Sequence, residues 1–389
     1  MQYKSGRHFL QIPGPTNVPE RVLRAISQPT IDHRGPQFAE MTLEVMQGLQ
    51  HIFKTKQNVI IYPSSGTGAW EASLVNCLSP GDRILMFETG HFATQWSNVA
   101  AKLGLEVDFV PGDWRHGVDP VAVEAKLAED KQQIKAVAIV HNETATGVAS
   151  RIAEIRKAMD RTGHSALLLV DVIASLGSFD YRHDEWGVDV TVGGSQKGLM
   201  LPPGLSFNVV SEKALEANKQ AGLTRSYWDW ENQIRMNQQG FFPYTPATNL
   251  LFGLRESIRM LREEGLDAVF ARHGHLAEAT RRAVQAWGLE LQCADPREYS
   301  SSVTAVRVPE GHDANELRKL ILDRFNMSLG TGLGKVRGQL FRIGHLGDFN
   351  ELMLMGTLCG VEMGLSLANI PFSKGGAAAA MDYLTSESP

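Results

Sequence analysis

Apolar residues recur along this chain in two rhythms that alternate through its first two-thirds. Short, nearly continuous apolar runs at 58–62, 83–87, 106–110, 136–140, 167–170, 188–192 and 206–210 predict buried strands. Between most of them the apolar positions recur every three to four residues, as in 67–78 and 151–161, and predict helices. Ser79-Pro80-Gly81-Asp82 ends one helix and Asp119-Pro120 opens another. Strands alternating with helices imply an α/β fold whose mostly parallel sheet is covered on both faces.

From about residue 249 the rhythm changes. Long helical patterns run to 263 and from 266 to 287. A strand at 302–308, a helix at 314–325, a strand at 341–344 and a helix at 351–365 follow. This predicts a smaller C-terminal α+β domain. We divide the chain into an N-terminal segment 1–20, a large α/β domain 21–260 and a small domain 261–389, with the boundary near the helix 257–265. The Gly- and Ala-rich patch 375–380 reads as a helix start or a loose tail, and no repeat occurs. At 389 residues the chain is longer than one ordinary core, which fits two domains.

Charge narrows the partners. The 43 acidic and 38 basic residues give a net charge of −5, with no basic run or tail, which argues against nucleic acid and anionic membranes. Cys77, Cys293 and Cys359 are far apart and lack metal or disulfide spacing, so a reducing cytoplasm is expected. Residues 1–7 lack the apolar run of a signal peptide, and no uncharged stretch is long enough to span a bilayer.

The chemistry concentrates where strands end. The run 166–170 stops in Asp171, and the run 188–192 leads into Gly194-Ser195-Gln196-Lys197-Gly198. A lone carboxylate and a lone ammonium at buried strand tips are costly unless each finds a partner. Pyridoxal phosphate supplies both: its aldehyde condenses with a lysine, and its ring nitrogen takes an acidic residue. Ser64-Ser65-Gly66-Thr67-Gly68 follows a strand and opens a helix, so Ser65, Gly66 and Thr67 can hold a phosphate at the helix N-terminus. It lacks both G-x-G-x-x-G spacing and a P-loop Gly-Lys pair. His141-Asn142-Glu143-Thr144-Ala145-Thr146-Gly147 closes another strand and offers Thr144 to a ligand. His141 and Glu143 do not match H-E-x-x-H, so no metal is assigned. Phe92 can stack on a planar ring, and Arg342 can grip a carboxylate in bidentate fashion. His33-Arg34 and Tyr244-Thr245-Pro246 are polar islands suited to meeting a site across a subunit interface. The pair His273 and His275 reads as a solvated helix face.

With these motifs assembled, the chain resembles the serine–glyoxylate and aspartate–glyoxylate aminotransferase group, in the class V branch of the fold-type-I pyridoxal-phosphate enzymes. The resemblance runs nearly end to end. It includes Pro13-Gly14-Pro15-Thr16-Asn17, Gly66-Thr67-Gly68-Ala69-Trp70-Glu71, His141 to Gly147, Gly194 to Lys197, Pro243-Tyr244-Thr245-Pro246 and Phe341-Arg342-Ile343-Gly344-His345. It implies Lys197 as the Schiff-base lysine, Asp171 on the ring nitrogen, and Phe92 and Ile173 against the ring. Thr144 would lie by the phenolic oxygen. Ser65, Gly66, Thr67 and Gln196 would hold the phosphate, joined by Tyr244 and Thr245 of a second subunit. Arg342 would clamp the substrate carboxylate, and His33 and Arg34 would read the donor side chain from the neighbouring subunit. The implied protein is a homodimer with shared sites, or a higher homo-oligomer, with residues 1–20 packed across the dimer.

The expected reaction moves the amino group of L-serine or L-aspartate to glyoxylate, giving glycine and hydroxypyruvate or oxaloacetate. Phe92 replaces a tryptophan of some relatives, Phe242 replaces an aromatic with a hydroxyl, and His33 replaces the tyrosine of plant relatives. The last change keeps aspartate beside serine as a donor. A ureidoglycine– or alanine–glyoxylate aminotransferase is the alternative within the fold. Outside it stand an α/β hydrolase, against which the missing G-x-S-x-G counts, and a non-catalytic binding module.

Overall fold

The computed structural model describes residues 5–386. Met1–Lys4, part of the stretch 1–7 inspected for a leader, lie outside the described residues, as do 387–389.

The alternating rhythm produces a seven-stranded sheet in the order Asn58–Tyr62, Ser206–Val210, Val190–Gly194, Leu167–Asp171, Ile134–Val140, Arg83–Phe87, Glu106–Val110. Ser206–Val210 runs antiparallel to both its neighbours, and the remaining pairings are parallel. The other six strands therefore point one way and end at one edge. Side chains alternate between two cores: Val59, Ile61, Val137, Ile139, Leu168 and Val170 enter one. Ile60, Tyr62, Ala136, Ala138, Leu167 and Leu169 enter the other. Both faces are buried, which is why these strands read as continuous apolar runs.

The strand expected at 188–192 sits two residues later, at Val190–Gly194. Its antiparallel neighbour pairs Ser206 with Gly194 and so extends the ladder through both glycines. The polar Gly194–Lys197 loop thus begins directly at the sheet edge.

The C-terminal part forms a five-stranded sheet in the order Phe9–Gln11, Met327–Thr331, Leu340–Gly344, Val303–Arg307, Glu290–Leu291. Phe9–Gln11 pairs in parallel with Met327–Leu329, so the N-terminal segment joins the far end of its own chain. Met327–Thr331, which the apolar pattern did not predict, forms between two neighbours rather than from its own propensity. The long helices lie at Thr248–Glu264 and Leu266–Ala286. The reading of a solvated face there is corrected for His273. It is fully buried, its Nδ1 lies 2.7 Å from the Val269 carbonyl, and its Nε2 accepts the Gly347 N–H at 3.0 Å. Helical spacing cannot say which face another element covers. Among the described residues no helix is long and apolar enough to cross a membrane.

Candidate active site

The shared strand edge creates a cleft of about 220 Å³. Nine of the residues singled out in the sequence line it: Ser65, Gly66, Thr67, Phe92, Thr144, Asp171, Ile173, Gln196 and Lys197. They come from five strand ends that are far apart in sequence, so only the parallel sheet brings them together.

Lys197 is nine-tenths buried. Its loop is locked from both sides. Ser195 Oγ donates to the Pro202 carbonyl at 2.9 Å and accepts the Leu205 N–H at 3.2 Å. Thr16 Oγ1 donates to the Lys197 carbonyl at 3.2 Å, and Thr16 N donates to the Gln196 carbonyl. The Lys197 Nζ donates to the Pro13 carbonyl. Gly14 lies directly beneath this side chain with φ +93°, and a Cβ there would collide with the lysine. Burial, with the Arg342 charge beside it, lowers the lysine to about 7, against the pull of Asp171 and Glu143. Near neutrality this amine is therefore partly unprotonated and nucleophilic.

Asp171 is raised to about 7, chiefly by burial and further by Glu143. Trp70 Nε1 donates to Oδ2 at 2.9 Å and the Ile173 N–H donates to Oδ1 at 2.7 Å. Trp70 stacks on Trp96 at 5.9 Å. This aromatic fixes the carboxylate; in the sequence it stands within the motif 66–71 with no role assigned to it.

At the other end of the cleft the helix Gly66–Val75 opens with no side chain capping its first turn. Gln196 lines the cleft, and its side-chain amide Nε2 can donate to an anion. An open helix N-terminus with Ser65 and Thr67 suits an anion. The buried Lys197 and Asp171 line the same cleft. This donor set fits pyridoxal phosphate.

Arg342 sits on the neighbouring sheet at the border of the cleft, 7 % exposed. Its Nε donates to the Thr331 carbonyl at 2.7 Å and its Nη1 to the Thr144 carbonyl at 2.9 Å. Burial lowers it to about 10 while Glu143 pulls it back up.

Besides Arg342, which is not part of the lining, four expected site residues lie outside this cleft. Arg34 and Thr245 are exposed, and His33 and Tyr244 are half-buried. Arg34 Nη1 donates to the Phe242 carbonyl at 3.3 Å, and Tyr244 stacks on Tyr227 at 4.4 Å. The Tyr244 hydroxyl donates to the Ile61 carbonyl at 3.1 Å.

The class-V aminotransferase family profile matches residues 8–336. The chain is 47 % identical to the serine–glyoxylate aminotransferase of Methylorubrum extorquens over 98 % of this chain and 97 % of that protein. It is 45 % identical to the L-aspartate–glyoxylate aminotransferase of Paracoccus denitrificans, covering 96 % and 95 % respectively. Among solved structures, the ureidoglycine–glyoxylate aminotransferase of Bacillus subtilis superposes with a TM-score of 0.90 at 28 % identity, covering 99 % of this chain and 100 % of that one.

Proposed function

The chain belongs to the class-V aminotransferase family, and from that premise we propose that it is a pyridoxal-phosphate-dependent transaminase using glyoxylate as amino acceptor. The donor is L-serine or L-aspartate, and the products are glycine with hydroxypyruvate or oxaloacetate. The observation that carries the reading is the pairing of buried Lys197 and Asp171 in one cleft. The identity to relatives named for both donors supports the substrate class.

Bound pyridoxal phosphate supplies a reactive aldehyde and an electron-withdrawing ring. The chain's own residues do the rest. Lys197 presents a partly unprotonated amine, first as nucleophile and then as the base that removes the substrate Cα proton. Asp171, held by Trp70 and the Ile173 N–H, keeps a proton on the ring nitrogen. The first turn of Gly66–Val75, with Ser65, Thr67 and Gln196, receives the phosphate. Phe92 and Ile173, which line the cleft, would pack against the ring, and Thr144 would lie by its phenolic oxygen. Arg342 orients the carboxylate common to donor and acceptor, so Lys197 can take the proton from the donor Cα in one half-reaction and return a proton to the acceptor Cα in the other.

The active unit is a homodimer. His33, Arg34, Tyr244 and Thr245 lie outside the cleft of their own chain, and a second copy supplies a cleft for them to complete. The large and small domains meet between the two sheets, with Arg342 contributed by the smaller. A cytoplasmic setting suits three unpaired cysteines. Glycine formation from glyoxylate, measured across a panel of amino donors, tests the reading. Turnover with serine or aspartate is expected, and turnover with ureidoglycine or alanine alone would replace the assigned donor.

A further inference from the structure

We propose that Glu143 is a positioning residue of the site, whose buried carboxylate ties the Phe92 helix, the Thr144 loop and the Arg342 charge into one fixed lining. Glu143 is completely buried. Among the described residues it forms no ion pair with a lysine or arginine. A buried carboxylate without such a pair is costly unless backbone donors surround it. Here they do. Oε2 accepts the N–H groups of Phe92 at 2.9 Å and Ala93 at 3.1 Å, and Oε1 accepts that of Ala145 at 3.0 Å.

Phe92 and Ala93 open the helix His91–Lys102, which no side chain of its own caps. Glu143 therefore caps that helix from another element and sits at its positive end. The close approach requires Gly90, where a Cβ would fall on the Glu143 side chain. On the other side, Ala145 N fixes the loop whose Thr144 carbonyl accepts Arg342 Nη1. One carboxylate thus sets a ring-facing phenylalanine, a cofactor-facing threonine and the carboxylate-binding arginine.

Its charge matters as well as its hydrogen bonds. The ionisable groups around the cleft are Lys197, Asp171, Glu143 and Arg342, with His91 beside Arg342. Arg342 disfavours a proton on Lys197, and Glu143 and Asp171 favour it. Without the Glu143 charge, the lysine nitrogen is expected to give up its proton at lower pH.

This inference rests on pyridoxal phosphate binding at Lys197, and its test separates the two ideas. The holoenzyme's visible absorbance is followed against pH in the parent, Glu143→Gln and Glu143→Asp. In Glu143→Gln the midpoint should fall by about one pH unit, and cofactor affinity should weaken about tenfold. Glu143→Asp, which keeps the charge, should keep the parent midpoint. Equal shifts in both variants, or a parent-like midpoint and affinity in Glu143→Gln, would overturn the proposal. If Glu143→Gln does not fold, Gly90→Ala, whose methyl group presses on the same carboxylate, should lower the midpoint, and an unmoved midpoint counts against the proposal. Hydrogen exchange in the cofactor-free chain reads Glu143 by itself. The amides of Phe92, Ala93 and Ala145 should exchange faster in Glu143→Gln, and unchanged exchange overturns its role. A parent that gains no visible band with pyridoxal phosphate instead removes the functional reading.

Discussion

Two groups of polar residues, both expected to serve one site, occupy different parts of the molecule. The inner group, with Lys197, Asp171, Thr144 and Gln196 among its members, lines a single cleft at the edge of the seven-stranded sheet. In the outer group, His33, Arg34, Tyr244 and Thr245, Arg34 bonds to the Phe242 carbonyl and Tyr244 stacks on Tyr227. Burial separates them physically. Lys197 and Asp171 are displaced from their ordinary pKa values in opposite directions, chiefly by desolvation, whereas Arg34 and Thr245 are exposed. The difference teaches that one copy of the chain builds the chemical half of the site. The outer group lies outside the cleft of its own chain, and its proposed role is to complete the cleft of a second copy.

The sharpest way to break this division is Lys197→Ala, which should lower turnover at least about a thousandfold while the protein stays folded. Substantial residual transamination would refute its role. Next in size, Arg342→Ala should raise KM for both amino acid and oxo acid by about a hundredfold, because a buried fork for a carboxylate is lost. Unchanged KM values would remove the clamp. Thr245→Ala should weaken cofactor binding by roughly tenfold, the size of one lost hydrogen bond to a charged group.

Mixing equal amounts of Lys197→Ala and Arg34→Ala chains, assayed with a donor that neither variant alone turns over, tests the sharing directly. Half the dimers are then hybrids, each with one intact site, so about a quarter of parental activity should return. No recovery would put both residues in the same chain's site.

Acid should act more gradually, through buried histidines outside the cleft lining. His141 and His273 are pushed down to about 4 by burial, His183 also to about 4, and His345 to about 3. These rings are neutral when folded, and the unfolded chain binds protons once pH drops below its ordinary histidine value. Their stabilisation is complete above about pH 6.5 and is lost as pH falls toward the folded values, by about 1.4 kcal/mol per histidine at one unit below. Melting temperature measured from pH 7.5 to 5 should fall only below about 6.5. A flat profile would show that these rings gain their protons without unfolding the chain.

The strand ends were legible because period-two and near-continuous apolar runs are local, and the polar residues that close them stand out against them. Asp171 and Lys197 could be found that way. Trp70 and Glu143 could not. A tryptophan inside an apolar helix reads as core, and its N–H on Asp171 joins residues on separate elements. Glu143 sits in a legible motif, but its work is done on the amides of Phe92 and Ala93, about fifty residues away. His273 misled for the same reason, since helical spacing does not say what packs against the helix.

The sequence by itself determined the alternation of strands and helices, the polar residues at the strand ends, and the family to which the chain belongs. Tertiary structure alone decided which ends converge, which charges lose water, and which expected residues stay outside the cleft. Periodicity is written by neighbours a few residues apart. Desolvation and hydrogen bonding across a cleft depend on groups that meet only after the chain has folded.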